Sequence, residues 1–362
     1  MSNWEYTETE LWRHNEGDYS IFHVFSLCAI GDTVLVFSEG RYGNGSDADC
    51  AHDIRMKRSF DGGRTFGEDV CILSAGNGVC WTNASPVYDH NVGRLFLFFS
   101  DNQNNVRTEN MVMFSDDRGT TWSKPRSVTS ALERVKIPLP FHLAGPGHGI
   151  CLKKGPFAGR LLMQFWHRSE NRKASLEERG YCVSVLYSDD HGETWQTTEY
   201  LGADLMVNES RLAEVDGGIR WYARTKGLSP ATSFSSDGGM TWLDFSHMDL
   251  PPARSCDLGA VSLFGENGLE NAVFISRLSH ETLRNDMEIL MSFDGGKHFT
   301  ERFPLMPGDV MPGYSDLCIL KGEEPAVGLV HCRHNHVLFS RISLQALTGG
   351  KYEKTERFVW LQ

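Results

Sequence analysis

The sequence lacks any apolar run long enough to cross a bilayer, and its first ten residues have no apolar core of the kind that a secretory signal carries. It also lacks cysteine pairs, because its nine Cys are odd in number and none stands in a C-x-x-C pattern. This argues against a disulfide framework and against a zinc site. No set of His, Cys and Asp residues has metal-ligand spacing, so we expect no cofactor. We expect a reducing, cytoplasmic location.

Positive charge is scarce. The chain has 35 Lys and Arg against 47 Asp and Glu, which leaves a formal net charge of −12. Nucleic acids and anionic membranes attract basic surfaces, so we expect neither as a partner. The same net charge is unfavourable for an anionic small molecule, so a site for an acid must gather its own cations. The sequence carries no signal for an oligomeric state.

Long segments with helical apolar spacing are missing as well. Short apolar or alternating runs bounded by Gly, Asp or Asn stand in their place, such as residues 33–38, 94–100 and 271–276. Runs of this kind are typical of β-strands. No linker rich in Pro or Ser divides the chain, so we expect a single domain over residues 1–362.

One pattern, Ser-x-Asp-x-Gly-x-Thr-Trp with small variations, occurs five times. The copies are residues 59–66, 115–122, 188–195, 235–242 and 292–299. Each predicts a hairpin tip, in which the Asp side chain accepts hydrogen bonds from the turn amides and the Gly supplies a positive φ. A four-stranded blade takes about 40–45 residues, so these boxes and a last unit around residues 309–339 predict an all-β, six-bladed β-propeller. We expect the N-terminal and C-terminal strands to pair and close the ring.

The boxes and the residues between them resemble the sialidase (neuraminidase) superfamily of BNR/Asp-box propellers over nearly the whole chain. Residues 38–47 are similar to the sialidase stretch in which an Asp follows an Arg by six positions. The resemblance implies that Arg41 contacts the sugar and that Asp47 is the general acid that protonates the leaving oxygen. Asp49 is a neighbouring candidate in the same loop, and the alternative that this loop is a simple polar turn stays open.

Two segments, 81–87 and 143–150, resemble stretches that line the sialidase pocket. They imply that Asn83 and His148 contact the substrate. For His148, a structural role as a hydrogen-bonded histidine is left open beside that one.

The later segments resemble the sialidase base, carboxylate ligands and nucleophile, in the family order. Glu209 stands at the position of the base, and Arg224, ahead of the fourth box, at that of a carboxylate-binding arginine. Arg284, ahead of the last box, stands at the position of a second carboxylate ligand. The Tyr-Ser-Asp-Leu motif that begins at Tyr314 implies that this tyrosine is the nucleophile.

The chemistry explains why a tyrosine would be needed. The anomeric carbon of a 2-keto sugar acid carries a carboxylate, which would repel a carboxylate nucleophile. A phenol is neutral, but its free pKa of about 10 requires a nearby base, the role implied for Glu209. Arginine pairs bidentately with a carboxylate and keeps its charge. Two-step displacement at Tyr314 would retain the anomeric configuration, as an exception to the two-carboxylate pattern of glycosidases.

One position departs from the family pattern. Sialidases hold the carboxylate with three arginines, and His23 stands where the first of them is expected. Cys332 stands where the family has the glutamate that stabilises this arginine. Leaving a buried charge without its partner typically costs about 3–5 kcal/mol, so the joint loss of both is physically consistent.

The resemblance therefore implies a sialidase-like retaining exo-α-glycosidase for terminal sialic acid or a related nonulosonic or ulosonic acid such as KDN or Kdo. Three alternatives stay open. His23 could bind the carboxylate, either neutral or protonated, and a protonated ring would give an acidic pH optimum. The substrate could differ at the carboxylate, or the product could arise by transfer. The propeller could also be a non-catalytic, lectin-like glycan binder, although decay would then erode Tyr314, Glu209 and Asp47 as readily as the carboxylate clamp.

Overall fold

The computed structural model describes residues 5–133, 139–168, 180–263, 269, 271–305, 307–310, 313–322 and 324–350. Within these residues, six antiparallel sheets account for nearly all of the regular structure. This confirms the predicted all-β class and the predicted six-bladed propeller. None of the described helices is long and apolar enough to cross a membrane. The single domain over the whole chain stays a prediction.

The strands follow one another as blades in chain order, after a first strand β1 (Tyr6–Arg13). Blade I contains β2 (Ile21–Ile30), β3 (Thr33–Arg41), β4 (His52–Ser59) and β5 (Val70–Leu73). Blade II contains β6 (Trp81–Asp89), β7 (Arg94–Gln103), β8 (Arg107–Ser115) and β9 (Arg126–Ser127), followed by helix α1 (Thr129–Leu132). Blade III contains β10 (Phe141–Ala144), β11 (Ile150–Cys151), a 3-10 turn (Gly155–Phe157), β12 (Leu161–Arg168), β13 (Cys182–Ser188) and β14 (Gln196–Thr197).

The second half of the ring has the same plan. Blade IV contains β15 (Ser210–Val215), β16 (Gly218–Ala223), β17 (Ala231–Ser235) and β18 (Ser246–His247). Blade V contains β19 (Gly259–Leu263), β20 (Ala272–Leu278), β21 (Met287–Ser292) and β22 (Glu301–Pro304). Blade VI contains β23 (Ser315–Leu320), β24 (Ala326–Arg333) and β25 (His336–Ser343), followed by helix α2 (Leu344–Leu347).

The ring closes through β1, which is the outermost strand of blade VI. It pairs antiparallel with β25, in a register that runs from Tyr6 opposite Ile342 to Arg13 opposite His336. The expected pairing of N-terminal and C-terminal strands is therefore confirmed. Blade III departs from the plan, because β11 also pairs with β12 and makes it a five-stranded sheet.

Each box tip is a hydrogen-bonded turn that fits against the preceding blade. In the first box, Asp61 Oδ1 accepts from the amides of Arg64 and Thr65, at 3.0 and 2.9 Å, as the sequence predicts. The second glycine of the tip, Gly63, has φ +79° and lies so close to the Phe339 ring of blade VI that a Cβ would overlap it. Glycines at the same place in the boxes of blades II, III and V meet the neighbouring blade in the same way. The boxes therefore join adjacent blades.

The innermost strands of neighbouring blades contact one another around the axis. In an antiparallel blade, the box between the third and fourth strands lies at the end of the axis where the innermost strand finishes. The starts of the innermost strands therefore meet at the opposite end, away from the boxes. The residues of the candidate site come from this end of the propeller, from the starts of innermost strands and from the loops beside them.

Candidate active site

Three predicted site residues, from blades IV and VI, form one contact chain at this end of the propeller. Tyr314 comes directly before β23, and Glu209 comes directly before β15. The Tyr314 hydroxyl donates to Glu209 Oε1. Glu209 Oε2 accepts from Arg224 Nη1 at 2.6 Å, and the side chain of Arg224 is also anchored by Ser255 Oγ, 3.1 Å from its Nε.

The pairing of Glu209 and Arg224 follows from a hairpin. Strands β15 and β16 pair antiparallel with Ser210 opposite Ala223, so the next residues outward, Glu209 and Arg224, face each other. The Arg224 amide donates to the Glu209 carbonyl at 2.8 Å. The fixed spacing of these two residues in the sequence is therefore the length of one hairpin.

The electrostatics favour a protonated Tyr314. Burial, followed by the negative charge of Glu209, holds the pKa of Tyr314 well above its usual value, and Arg224 opposes this only in part. The Glu209 charge raises the pKa of Arg224, which therefore stays cationic. Tyr314 also has φ +63°, a left-handed conformation that residues other than glycine rarely adopt and that is often found at functional sites.

His23 lies beside the nucleophile candidate. Its ring stands edge-on to the Tyr314 ring, with centroids 4.4 Å apart. Burial, and then the positive charges of Arg41, His14 and Arg284, hold the pKa of His23 well below its usual value. The ring is therefore neutral at neutral pH, which favours the neutral over the protonated form of the His23 alternative.

Arg284 is exposed, three positions ahead of β21. Its charge lowers the pKa of His23 and opposes the burial that raises the pKa of the Cys256 thiol. Cys256 Sγ occupies the space that a Cβ at Gly313, the residue before Tyr314, would need. Arg284 thus acts electrostatically on two groups that flank Tyr314.

Arg41 and Asp47 form an ion pair. Arg41, the buried last residue of β3, donates from Nη1 to Asp47 Oδ1 at 2.5 Å and from Nε to the His23 carbonyl at 2.8 Å. The Asp47 side chain is 77% exposed, so it faces solvent at the edge of the site. Asp49 accepts from Ser46 Oγ at 3.4 Å within its own loop.

Sequence reasoning missed Glu39, which is fully buried behind Arg41. Its carboxylate accepts from Arg41 Nε at 2.8 Å, from Thr82 Oγ1 at 2.6 Å and from the Asn83 amide at 2.8 Å. Residues two apart on a strand share a face, so the position of Glu39 two residues before Arg41 was the available signal.

Asn83 and His148 are engaged by neighbouring backbone and side chains. Asn83 Nδ2 donates to the Ala144 carbonyl at 2.8 Å. The His148 ring lies 3.0 Å from Asp316 Oδ1 through Nδ1, and its amide donates to Asp316 Oδ2 at 3.1 Å. The contacts of His148 match the structural role that the sequence left open, and a substrate contact by either residue stays a prediction.

Cys332 is buried near the His23 segment, with His14 between them. Cys332 Sγ lies 3.8 Å from His14 Nε2, which in turn lies 3.3 Å from the Phe22 carbonyl. Across the part of the chain that the structure describes, no three His, Cys, Asp or Glu side chains are grouped to hold a metal ion. The absence of a cofactor stays a prediction.

Comparison with known proteins gives one family. The sequence profile of the BNR repeat-like domain matches residues 33–332. A curated protein named sialidase from Micromonospora viridifaciens is 29% identical over an alignment of 366 residues that covers 91% of this chain and 54% of the relative. Another sialidase, from Bacteroides fragilis strain YCH46, is 25% identical over an alignment that covers 86% of this chain and 60% of the relative. The chain thus spans little more than half the length of these relatives.

Solved structures share the fold. The Hadza microbial sialidase Hz136 superposes with a TM-score of 0.79 at 22% identity, over 91% of this chain and 67% of that one. The intramolecular trans-sialidase from Ruminococcus gnavus superposes with a TM-score of 0.75 at 18% identity, over 93% of this chain and 96% of that one. At these identities the likeness is one of fold.

Proposed function

The chain belongs to the sialidase superfamily of BNR repeat-like propellers, and from that premise we propose that it is a retaining exo-α-glycosidase that releases terminal sialic acid or a related nonulosonic or ulosonic acid. The observation that carries the proposal is the chain of contacts from Tyr314 through Glu209 to Arg224. A neutral phenol that donates a hydrogen bond to a carboxylate is an activated nucleophile, and it lacks the negative charge that would repel an acid sugar.

In the first step, Tyr314 Oη bonds to the anomeric carbon while the bond from that carbon to the leaving oxygen breaks. Glu209 takes the phenolic proton, and Asp47 gives a proton to the leaving oxygen. In the second step, water attacks the anomeric carbon, Asp47 takes a proton from it, and Tyr314 recovers its own from Glu209. Two displacements at one carbon retain its configuration.

The carboxylate of the sugar would lie between Arg224 and Arg284. The third position of the clamp is His23, whose low pKa makes it a neutral donor where the family resemblance expects a cation. A clamp with two cations and one neutral donor holds a carboxylate more weakly than three arginines would. All three sugars carry the same carboxylate, so the ketosides of N-acetylneuraminic acid, KDN and Kdo are all candidate substrates, and a preference among them would report contacts with the rest of the sugar.

The test is release of methylumbelliferone from the α-ketosides of N-acetylneuraminic acid, KDN and Kdo by the wild type and by Tyr314→Phe. We expect turnover of at least one ketoside and a loss of about a thousandfold or more in the variant, because the substitution removes the nucleophile. Product analysis then separates hydrolysis, which gives the free acid, from intramolecular transfer, which gives an anhydro sugar.

A wild type that turns over none of the three ketosides overturns the proposal. If such a protein still binds sialylated glycans, and Tyr314→Phe binds them equally well, the propeller is a lectin.

A further inference from the structure

Arg211 is a fully buried arginine on β15, two residues after Glu209. Its guanidinium has five N–H groups, and all five have acceptors. The acceptors are Asp316 Oδ1 at 3.2 Å from Nε, the Ser210 carbonyl at 2.9 Å and Asp257 Oδ1 at 3.2 Å from Nη1, and Asp257 Oδ2 at 2.9 Å and the Ser315 carbonyl at 3.1 Å from Nη2. A side chain with every donor occupied is held in one orientation.

Two of these acceptors stand next to the proposed catalytic pair. Ser210 directly follows Glu209, and Ser315 directly follows Tyr314. The rigid, planar guanidinium of Arg211 thus donates hydrogen bonds to the main chain beside the base and to the main chain beside the nucleophile. These two segments come from blades IV and VI, which are not neighbours in the ring.

The contact of Arg211 with Asp257 leads toward Arg224, the arginine that pairs with the base. Asp257 lies two residues after Ser255, whose hydroxyl accepts from Arg224 Nε at 3.1 Å. Asp257 binds the guanidinium of Arg211 with both oxygens. The group therefore joins the starts of three innermost strands, those of blades IV, V and VI.

The surroundings leave the guanidinium no room to move. A Cβ at Gly147 would overlap its Nε and Cζ, so the Gly147 backbone of blade III packs directly against it. On the far side, Asp316 also accepts from the amides of Leu27 and His148, each at 3.1 Å. Any shift of Arg211 would break several bonds at once.

We infer that Arg211 is a positioning residue that keeps Glu209 within hydrogen-bonding distance of Tyr314. The inference rests on the proposed function, since it assigns this pair the roles of base and nucleophile. Arg211 is fully buried and all five of its N–H groups donate to protein acceptors, so it acts on the reaction through the main chain beside those two residues.

The test compares Arg211→Lys with the control Arg160→Lys. Lysine keeps the charge but loses the fork, so it cannot bond both serine carbonyls and both oxygens of Asp257. Arg160 is a matched control because it is also buried, binds Asp189 with two N–H groups at 2.7 and 2.9 Å and donates to the Gly238 carbonyl in a box. It lies at the box end of the propeller, away from the site.

For Arg211→Lys we expect kcat to fall by about 10- to 100-fold with KM changed by less than about twofold, because a misplacement of about 1 Å can cost about 100-fold. In a Glu209→Gln background the same substitution should have little further effect, since the base that Arg211 positions has already been removed. Arg160→Lys should leave kcat unchanged in both backgrounds. Loss of stability alone would lower activity equally with and without Glu209.

The inference is overturned if Arg211→Lys keeps wild-type kcat, or if its full loss persists with Glu209→Gln. Should Arg211→Lys fail to fold, Asp257→Asn replaces it, with an expected kcat loss of about 3- to 10-fold that also disappears with Glu209→Gln. If the wild type turns over no ketoside, the proposed function fails, and crystal structures decide the positioning role. A Tyr314–Glu209 contact that is lost in Arg211→Lys, but kept in Arg160→Lys, supports it, and a kept contact in both overturns it.

Discussion

His23 and Tyr314 stand edge to face in the site. Burial, followed by the charges of Arg41, His14 and Arg284, lowers the pKa of His23, so the ring stays neutral as the pH falls below the usual histidine value. It gains charge only below its lowered pKa. If His23 takes part in binding, it does so as a neutral donor.

This gives a prediction for the pH profile. We expect His23→Asn, which keeps a neutral donor, to leave the acid limb of kcat/KM unchanged near about pH 6.5, the usual histidine pKa, because burial and the neighbouring cations hold the pKa of His23 well below that value. Asp47→Asn is the contrasting variant, and it should change the alkaline limb, because the general acid must be protonated and the rate falls as it loses its proton. A shift of the acid limb in His23→Asn would show that the charged ring binds the substrate.

The pair His23 and Cys332 gives a second prediction at this scale. His23→Arg should lower the free energy of unfolding by about 3–5 kcal/mol, because it places a new cation near Arg41 and Arg284 without an acidic partner. Adding Cys332→Glu should restore part of that loss. Urea denaturation of both single variants and the double variant measures the coupling, and strictly additive losses would show that the two positions do not interact.

At the scale of elements, the box tips determine how one blade packs on the next. Gly192 has φ +81°, and its Cα faces the Phe96 ring of blade II, with no space for a Cβ. Gly217 has nearly the same backbone, with φ +79°, but nothing lies within 4 Å of the Cβ position. The two glycines thus separate the cost of the backbone conformation from the cost of the contact.

We expect Gly192→Ala to destabilise the protein by about 1–3 kcal/mol more than Gly217→Ala does, because only the first inserts a methyl group into a packed interface. Chemical denaturation of the two variants measures the difference. Equal losses would mean that the left-handed backbone, and not the packing between blades, requires the glycine.

A second element-scale feature is a buried histidine pair in blade III. His142 on β10 lies opposite His167 on β12, with their Nδ1 atoms 2.7 Å apart. Burial lowers the pKa of His142 to about 4, and burial together with His142 holds the pKa of His167 well below its usual value. Both rings are therefore neutral in the folded protein at neutral pH.

Because these folded-state pKa values lie below the unfolded value of about 6.5, the stability that the pair contributes is complete above about pH 6.5 and is lost as the pH falls toward 4. We expect the free energy of unfolding to fall by about 1–3 kcal/mol over this window and to fall less steeply in His167→Gln. His331, with a pKa lowered to about 4 by burial, leaves part of the slope in the variant. An unchanged slope would contradict the prediction.

At the scale of the whole molecule, the sequence predicts the ring well because the ring is built from a local repeat. Each box carries its own turn chemistry within a few residues, and the site residues keep a fixed order between the boxes. Glu39 and Arg211 were missed for the opposite reason. Their importance comes from contacts between segments such as Arg211 with Ser315 or Asp257, which no spacing along the chain records.

The short strand β11 was missed for a related reason. The segment Ile150–Cys151 is too short to predict as a strand from the sequence. It is a strand because it pairs with Leu162 and Leu161 of β12.

The closure of the ring gives the last prediction. β1 buries Leu11 and Trp12 in the core between blades VI and I, so deletion of residues 1–13 removes both this burial and the pairing partner of β25. We expect the deletion to lower the melting temperature sharply and to cause self-association through the freed edge of β25, measured by thermal unfolding and size-exclusion chromatography. A truncated protein that is monomeric and equally stable would show that blade VI needs no outer strand.

The position of β1 also sets an order of events during synthesis. The ribosome makes this strand before any blade exists, yet its partner β25 is made after all the others. Blades I to V can therefore form one by one as the chain emerges. β1 stays unpaired until more than three hundred further residues have been synthesised. Its backbone groups and apolar side chains are open to other molecules throughout that time, so the nascent chain depends on protection of its first strand until the last blade is complete.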